Sequence, residues 1–146
     1  MKTNNQTVMV TGGGGYIGVV LVEELLKRGY KVKVYDAFYW GKEILTECLD
    51  KYGGKLSLLH KDIRNIVKAD LKNVNIVIHQ AALSNDPMAN FNPEANFRIN
   101  TDATIKLAKL CKSVGIKRFT FASSASIYDE AKVSCEKNEE SLVAPT

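Results

Sequence analysis

At 146 residues, with 45% hydrophobic and 25% charged side chains, the chain is long enough to bury a core and too apolar to be disordered. Its net charge of +4 comes from 20 basic and 16 acidic residues spread along the sequence, with no basic block of the kind that forms a nucleic-acid or membrane arm. No apolar stretch reaches membrane-spanning length, the polar start Met1-Lys2-Thr3-Asn4-Asn5 lacks a signal-peptide core, and Cys48, Cys111 and Cys135 show neither metal nor redox spacing; a reducing cytoplasm is the expected setting.

In chain order, a first strand is predicted at Val8-Met9-Val10-Thr11. It breaks into Gly12-Gly13-Gly14-Gly15 and resumes as a helix through Tyr16, Ile17 and Gly18. Gly12, Gly15 and Gly18 fit the Gly-x-x-Gly-x-x-Gly spacing of a dinucleotide-binding turn. There Gly12 makes the turn, Gly15 lets the backbone approach a pyrophosphate, and Gly18 lets helix and strand pack closely. The positive end of the helix dipole then faces the phosphates. A glycine run alone also fits a flexible loop, but here strand, helix and a later acidic residue all fall where the motif requires them. The helix is expected from about residue 15 to 28, with Ile17, Leu21 and Leu25 recurring on a buried face beside Val20 and Leu26. Glu23 and Glu24 meet Lys27 and Arg28 at i,i+4, and Gly29 ends the helix.

A second strand, Lys31 to Tyr35, closes at Asp36. A carboxylate there accepts hydrogen bonds from the ribose hydroxyls of NAD and repels the 2′-phosphate of NADP. Phe38, Tyr39 and Trp40 read as packing residues. Helical spacing follows through Ile44, Leu45, Cys48, Leu49 and Tyr52, up to Gly53-Gly54. Leu56 to His60 is a third strand, and Asp62 and Ile63 just beyond it are placed to meet an adenine at the carboxyl edge of the sheet. Residues 66–73 read as a weak helix or loop. Asn75 to His79 is a fourth, fully apolar strand of the buried parallel kind, running into Gln80-Ala81-Ala82, whose small residues permit close passage of a cofactor. His79 has no carboxylate partner in the pattern, which favours a structural role.

Residues 83–91 read as an active-site loop. Asn92-Pro93-Glu94 then supplies a cap, a first-turn proline and a dipole-compensating acid for a long helix, with Ala95, Ile99, Ala103, Leu107, Leu110 and Val114 as its buried stripe and Gly115 as its end. Arg118 to Ala122 is the fifth strand, opening into Ser123-Ser124-Ala125-Ser126-Ile127-Tyr128, and 129–146 is a polar tail with no further element to be read in it. Alternation of strands and helices predicts an α/β, Rossmann-type doubly wound parallel sheet of five strands in order 3-2-1-4-5, a cofactor domain spanning 1–128.

Together these motifs resemble the N-terminal, cofactor-binding part of the NAD-dependent epimerase/dehydratase family, extended short-chain dehydrogenases/reductases acting on nucleotide sugars. The matching pieces are Thr11 to Gly18, Asp36, Asp62-Ile63-Arg64, His79-Gln80-Ala81-Ala82, Asn100 in the long helix, and Ser123 to Tyr128. The resemblance implies NAD as cofactor. It places Gly12, Gly15, Tyr16, Ile17 and Gly18 at the pyrophosphate, Asp36 at the adenosine ribose, Asp62 and Ile63 at the adenine, and Ala81 and Ala82 along the cofactor. Asn100 and Ser123 join the cofactor set, and Ser124 is the catalytic hydroxyl that hydrogen-bonds the reacting sugar oxygen. Asp102 and Ala103 stand where the family usually has glycine and threonine, and Asp129 where it usually has glycine.

The family's acid/base pair is Tyr-x-x-x-Lys on the next helix. Tyr128 and Lys132 match that spacing literally, but Tyr128 already fills the tyrosine position that ends the serine motif, so the pair is not assigned. Ala144-Pro145-Thr146 is a phrase that in relatives leads into the catalytic tyrosine. The expected function is therefore the NAD-binding portion of a nucleotide-sugar epimerase or dehydratase, truncated before the catalytic helix and inactive alone. A non-catalytic NAD-binding module that associates with another chain is the alternative, and an exposed sheet edge allows a homo-oligomer. A methyltransferase also pairs a glycine loop with an acid ending strand two, but the long glycine spacing and Ser123-Ser124 disfavour it.

Overall fold

The runs Val8-Met9-Val10 and Ile76-Val77-Ile78 are short and apolar on both faces, which suits strands covered by helices above and below. The computed structural model describes residues 5–84, 86–128, 137–141 and 143. Five strands, β1 (Thr7–Thr11), β2 (Lys31–Asp36), β3 (Leu56–His60), β4 (Ile76–His79) and β5 (Arg118–Phe121), form one parallel sheet in the order β3-β2-β1-β4-β5. β1 lies at the centre, with Val10 in register with Val34 on one side and Ile78 on the other. The predicted architecture is therefore the observed one. Residues 129–136, 142 and 144–146 of the expected polar tail, Lys132 among them, lie outside the described residues.

Each face of the sheet carries its own core. Val8, Val10, Val32 and Val34 point to one side, where they pack with Val22 and Leu26 of α1 (Tyr16–Lys27) and with Leu45 and Cys48 around α2 (Thr46–Tyr52). Met9, Tyr35 and Val77 point to the other and meet Ile99, Ala103, Leu107 and Cys111. This alternation is the two-residue period of a strand.

Helix α1 buries a different face from the one expected. Gly18, Val22 and Leu26 are buried, whereas Ile17 and Val20 are 66% and 68% exposed. A Cβ at Gly18 would lie 2.2 Å from the Gly12 carbonyl oxygen, so the glycine must face the turn and that contact sets the rotation of the helix. The predicted pairs on the outer face form, Lys27 with Glu23 at 3.0 Å and Arg28 with Glu24 at 2.9 Å.

Residues 63–71 are two short 3₁₀ turns, Ile63–Asn65 and Lys68–Leu71, pinned through Asp70. Its buried carboxylate accepts from the Val67 amide at 3.0 Å and from Lys61 Nζ at 2.6 Å, while Lys33 Nζ donates to the Asp70 carbonyl at 3.1 Å. The expected loop over 83–91 contains a short helix, α3 (Asp86–Phe91).

The long helix begins as predicted, with the Ala95 amide donating to Asn92 Oδ1 at 3.0 Å. It runs as α4 (Pro93–Phe97), a π-turn (Arg98–Asp102) and α5 (Ala103–Ser113). Val114, expected in the buried stripe, is 41% exposed because the helix has ended one residue earlier. Among the described residues no helix is long and apolar enough to cross a membrane.

Candidate functional site

Parallel strands all present their carboxyl ends on one edge, so the crevice belongs where the crossovers diverge on either side of β1. A crevice of about 560 Å³ opens there. Gly12 and Gly15 form its rim at the end of β1, Asp36 and Ala37 the end of β2, Asp62 and Ile63 the segment after β3, and Ala81, Ala82 and Leu83 the segment after β4.

The glycine turn is built for close approach. Gly12 has φ +74°, a left-handed conformation, and a Cβ on it would lie 2.7 Å from the Ala81 amide nitrogen. Its own amide donates to the Tyr35 carbonyl at 3.0 Å, tying the turn to β2. Gly15 differs: its φ of −84° suits any residue, and an added Cβ would meet only the Gly12 oxygen, at 3.3 Å. Gly15 lines the crevice at the amino end of α1, where first-turn amides lack partners within the helix.

Asp36 is held by backbone. Its Oδ2 accepts from the Gly14 amide at 2.9 Å and its Oδ1 from the Phe38 amide at 2.6 Å. A carboxylate has about four acceptor positions, so this clamp orients the group and leaves two for a ligand. Asp62 is oriented by a side chain: Arg64 Nε donates to Oδ1 at 2.9 Å, and the fork holds the Asp62 carboxyl below the usual carboxylate range. Tyr35, deep in the crevice, donates its hydroxyl to the Asp62 carbonyl at 3.2 Å, and burial, followed by the charges of Asp70 and Asp62, pushes its pKa up to about 12.

Of the residues expected from sequence, Gly12, Gly15, Asp36, Asp62, Ile63, Ala81 and Ala82 line the crevice. Tyr16 and Ile17 sit at the start of α1, 95% and 66% exposed. Gly18 faces the turn's own backbone. Asn100 lies behind the wall, where its Oδ1 accepts from the Leu83 amide at 2.8 Å and its Nδ2 donates to the Leu83 carbonyl at 2.9 Å. Ser123 and Ser124 follow β5 as exposed residues, and Tyr128 ends a 3₁₀ turn, Ala125–Tyr128.

The packing role favoured for the aromatic trio holds for Phe38 and not for Tyr39 and Trp40. Both line the crevice and are 67% and 84% exposed, whereas Phe38 is the packing member of the trio, edge-on to the His60 ring with centroids 5.6 Å apart. Phe38 takes φ +50°, and Gly41 donates to its carbonyl at 3.0 Å, so a tight reversal buries one ring and turns the next two outwards. Gln80 also lines the crevice, and its Oε1 is buried with no hydrogen-bond partner among the described residues.

A glycine turn leading into a helix, an oriented acid at the tip of β2 and a crevice at the switch point define a Rossmann-type dinucleotide fold. Residues 8–146 match the NAD dependent epimerase/dehydratase family, and the chain belongs to that family, whose cofactor is NAD. It is 33% identical over 132 residues to a UDP-glucose 4-epimerase of Klebsiella pneumoniae, covering 86% of this chain and 95% of that protein. Of two other UDP-glucose 4-epimerase relatives, from Schizosaccharomyces pombe and Methanocaldococcus jannaschii (the latter putative), it spans only 36% and 40% of the length, at 31% and 32% identity over 85% and 84% of this chain. Among solved structures, the UDP-Glc/GlcNAc 4-epimerase of Campylobacter jejuni superposes with a TM-score of 0.86 at 27% identity, over 97% of this chain and 44% of that one.

Proposed function

We propose that this chain is the NAD-binding portion of a nucleotide-sugar epimerase or dehydratase and does not turn over sugars by itself. The observation that carries the reading is Asp36, clamped by the Gly14 and Phe38 amides at the mouth of the crevice. The residues present fit the cofactor: Gly15 leaves room on its ligand side, and Gln80 Oε1 is an acceptor wanting a donor. NAD, when bound, supplies the nicotinamide carbon that takes a hydride from a sugar carbon and returns it.

In this reading the backbone from Gly12 to Gly18, with Tyr16 and Ile17, holds the pyrophosphate at the positive end of α1. Asp36 accepts from the adenosine ribose, and its charge disfavours a 2′-phosphate. Asp62, oriented by Arg64, and Ile63 take the adenine edge. Ala81 and Ala82 keep the wall thin, and Asn100 sets the segment that follows. Ser123 completes the cofactor set. Ser124 hydrogen-bonds the reacting sugar oxygen, but a serine hydroxyl is too weak a base at neutral pH to remove its proton.

The alternative, a module that binds NAD and associates with another chain, is supported by β5, whose residues are all exposed, Phe119 and Phe121 included. The buried free thiols of Cys48 and Cys111 suit a reducing compartment such as the cytoplasm. Calorimetric titration of the chain with NAD, then incubation with NAD and a panel of UDP-sugars, tests the proposal. NAD binding without product is expected; no NAD binding refutes the cofactor reading, and product formation refutes the inactivity.

A further inference from the structure

His79 is fully buried at the end of β4, where a histidine is an unusual choice for a strand core. Phe121 stacks on its ring at 5.7 Å between centroids, and Phe119 lies at 6.2 Å. Each ring nitrogen meets a threonine: Nδ1 is 2.6 Å from Thr11 Oγ1, and Nε2 is 2.8 Å from Thr104 Oγ1.

The positions of the protons follow from what the threonines do next. Thr104 donates its one hydroxyl hydrogen to the Asn100 carbonyl at 2.7 Å, and a carbonyl can only accept. Thr104 Oγ1 must therefore accept from His79, so Nε2 carries the imidazole hydrogen and Nδ1 is bare. Thr11 then donates to Nδ1, while its oxygen receives the Gln80 and Ala81 amides, both at 3.3 Å. The imidazole hydrogen and the two hydroxyl hydrogens each have one acceptor, the Gln80 amide being shared with the Thr11 carbonyl at 3.1 Å, and the chain has one direction. In the other tautomer two acceptors would face each other at Nε2, and Thr11 would receive a third donor with no outlet for its own hydrogen.

The two ends of this chain reach the same short segment. Ala81 is held at its amide through Thr11, and Leu83 is held at its amide and carbonyl by the side chain of Asn100, whose own carbonyl terminates the chain in the π-turn. Ala81, Ala82 and Leu83 form the crevice wall on the β4 side. We propose that His79, acting through Thr11 and Thr104, is a positioning residue that fixes this wall from both ends and so sets the affinity of the crevice for its dinucleotide. The affinity part rests on the NAD reading above; the hydrogen-bond part does not.

The test uses isosteric changes that keep the core filled. In ¹⁵N-labelled, cofactor-free chain at neutral pH, long-range imidazole correlations should show His79 as the neutral Nε2–H tautomer. Thr104→Val should shift the amide resonances of Leu83 and Ala81, and Thr104→Ser should return them. NAD dissociation constants should rise about tenfold in Thr104→Val and in Thr11→Val, recover in each Ser variant, and rise by less than the product of the two effects in the double Val variant. An Nδ1–H tautomer, unmoved Leu83 and Ala81 resonances, or multiplicative losses in the double variant would overturn the inference. If the unaltered chain fails to bind NAD, the function reading falls, while the tautomer and resonance shifts still decide the hydrogen-bond part.

Discussion

Gly15 and Gly18 are three residues apart on one turn, and replacing each by alanine should produce opposite failures. At Gly18 the new methyl would sit 2.2 Å from the Gly12 oxygen and 2.7 Å from the Gly13 Cα, both backbone atoms that cannot rotate aside. Overpacking of this kind costs roughly 1–3 kcal/mol, which for a domain of this size lowers the melting temperature by roughly 3–10 °C. At Gly15 the φ of −84° accepts alanine and the one close atom, the Gly12 oxygen at 3.3 Å, has to give by only a few tenths of an ångström, so the fold should lose far less stability than at Gly18. The same methyl would, however, stand where the pyrophosphate approaches the first turn of α1. Losing one or two charge-assisted hydrogen bonds there weakens binding by about 1.5–3 kcal/mol, or roughly 10- to 150-fold. Differential scanning calorimetry and titration with NAD read the two quantities separately. If Gly15→Ala binds NAD as tightly as the unaltered chain, or melts as early as Gly18→Ala, the division between a ligand-side and a packing-side glycine is wrong.

Asp36 should make NAD the preferred cofactor, and Asp36→Asn should narrow the gap to NADP; equal titration of both by the unaltered chain would count against its role. Burial holds His79 down to about 4 from 6.5, so the unfolded chain binds the proton more readily between these values. Stability is then complete above pH 6.5 and falls as pH drops towards 4, by up to about 3 kcal/mol, a loss that urea midpoints at pH 7 and 4.5 would detect and a flat profile would deny. Tyr128→Phe should change nothing in a sugar assay, because no turnover is expected to be lost; product that disappears with this substitution would make Tyr128 catalytic. Light scattering should show self-association through the exposed β5 edge, and a compact monomer with a high melting temperature would refute it.

Much of this arrangement is legible in the sequence because it is governed by local chemistry. The β-branched runs give the strands, and the Asn92-Pro93-Glu94 start places a helix whose cap bond forms as expected. The glycine spacing and Asp36 fall on one crevice because strand ends in a parallel sheet have no other place to converge. What could not be read depends on backbone contacts and conformations that side-chain periodicity does not encode. The rotation of α1 is decided by a backbone contact at Gly18, not by the spacing of Ile17, Leu21 and Leu25. The split between Phe38 and its neighbours follows from a left-handed φ at a residue that rarely adopts one. The π-turn at Asn100 coincides with bonds to Leu83 and Thr104 that no helical periodicity encodes.

The division of the core between the two faces of the sheet has a consequence for how the chain assembles. Every buried member of the first face lies between Val8 and Leu56, so that layer can close as soon as the third strand begins to form. The second face needs Leu107 and Cys111 as well as Met9 and Tyr35, and it must wait for α5 to arrive. During synthesis, a nascent chain with its third strand clear of the ribosome would hold one layer complete but for the Ile76 and Ile78 side chains of β4 and one open layer, with Met9, Tyr35 and Val77 exposed in turn until α5 covers them. Contacts of such different sequence separation form at different times, and those that close the longer loops come last.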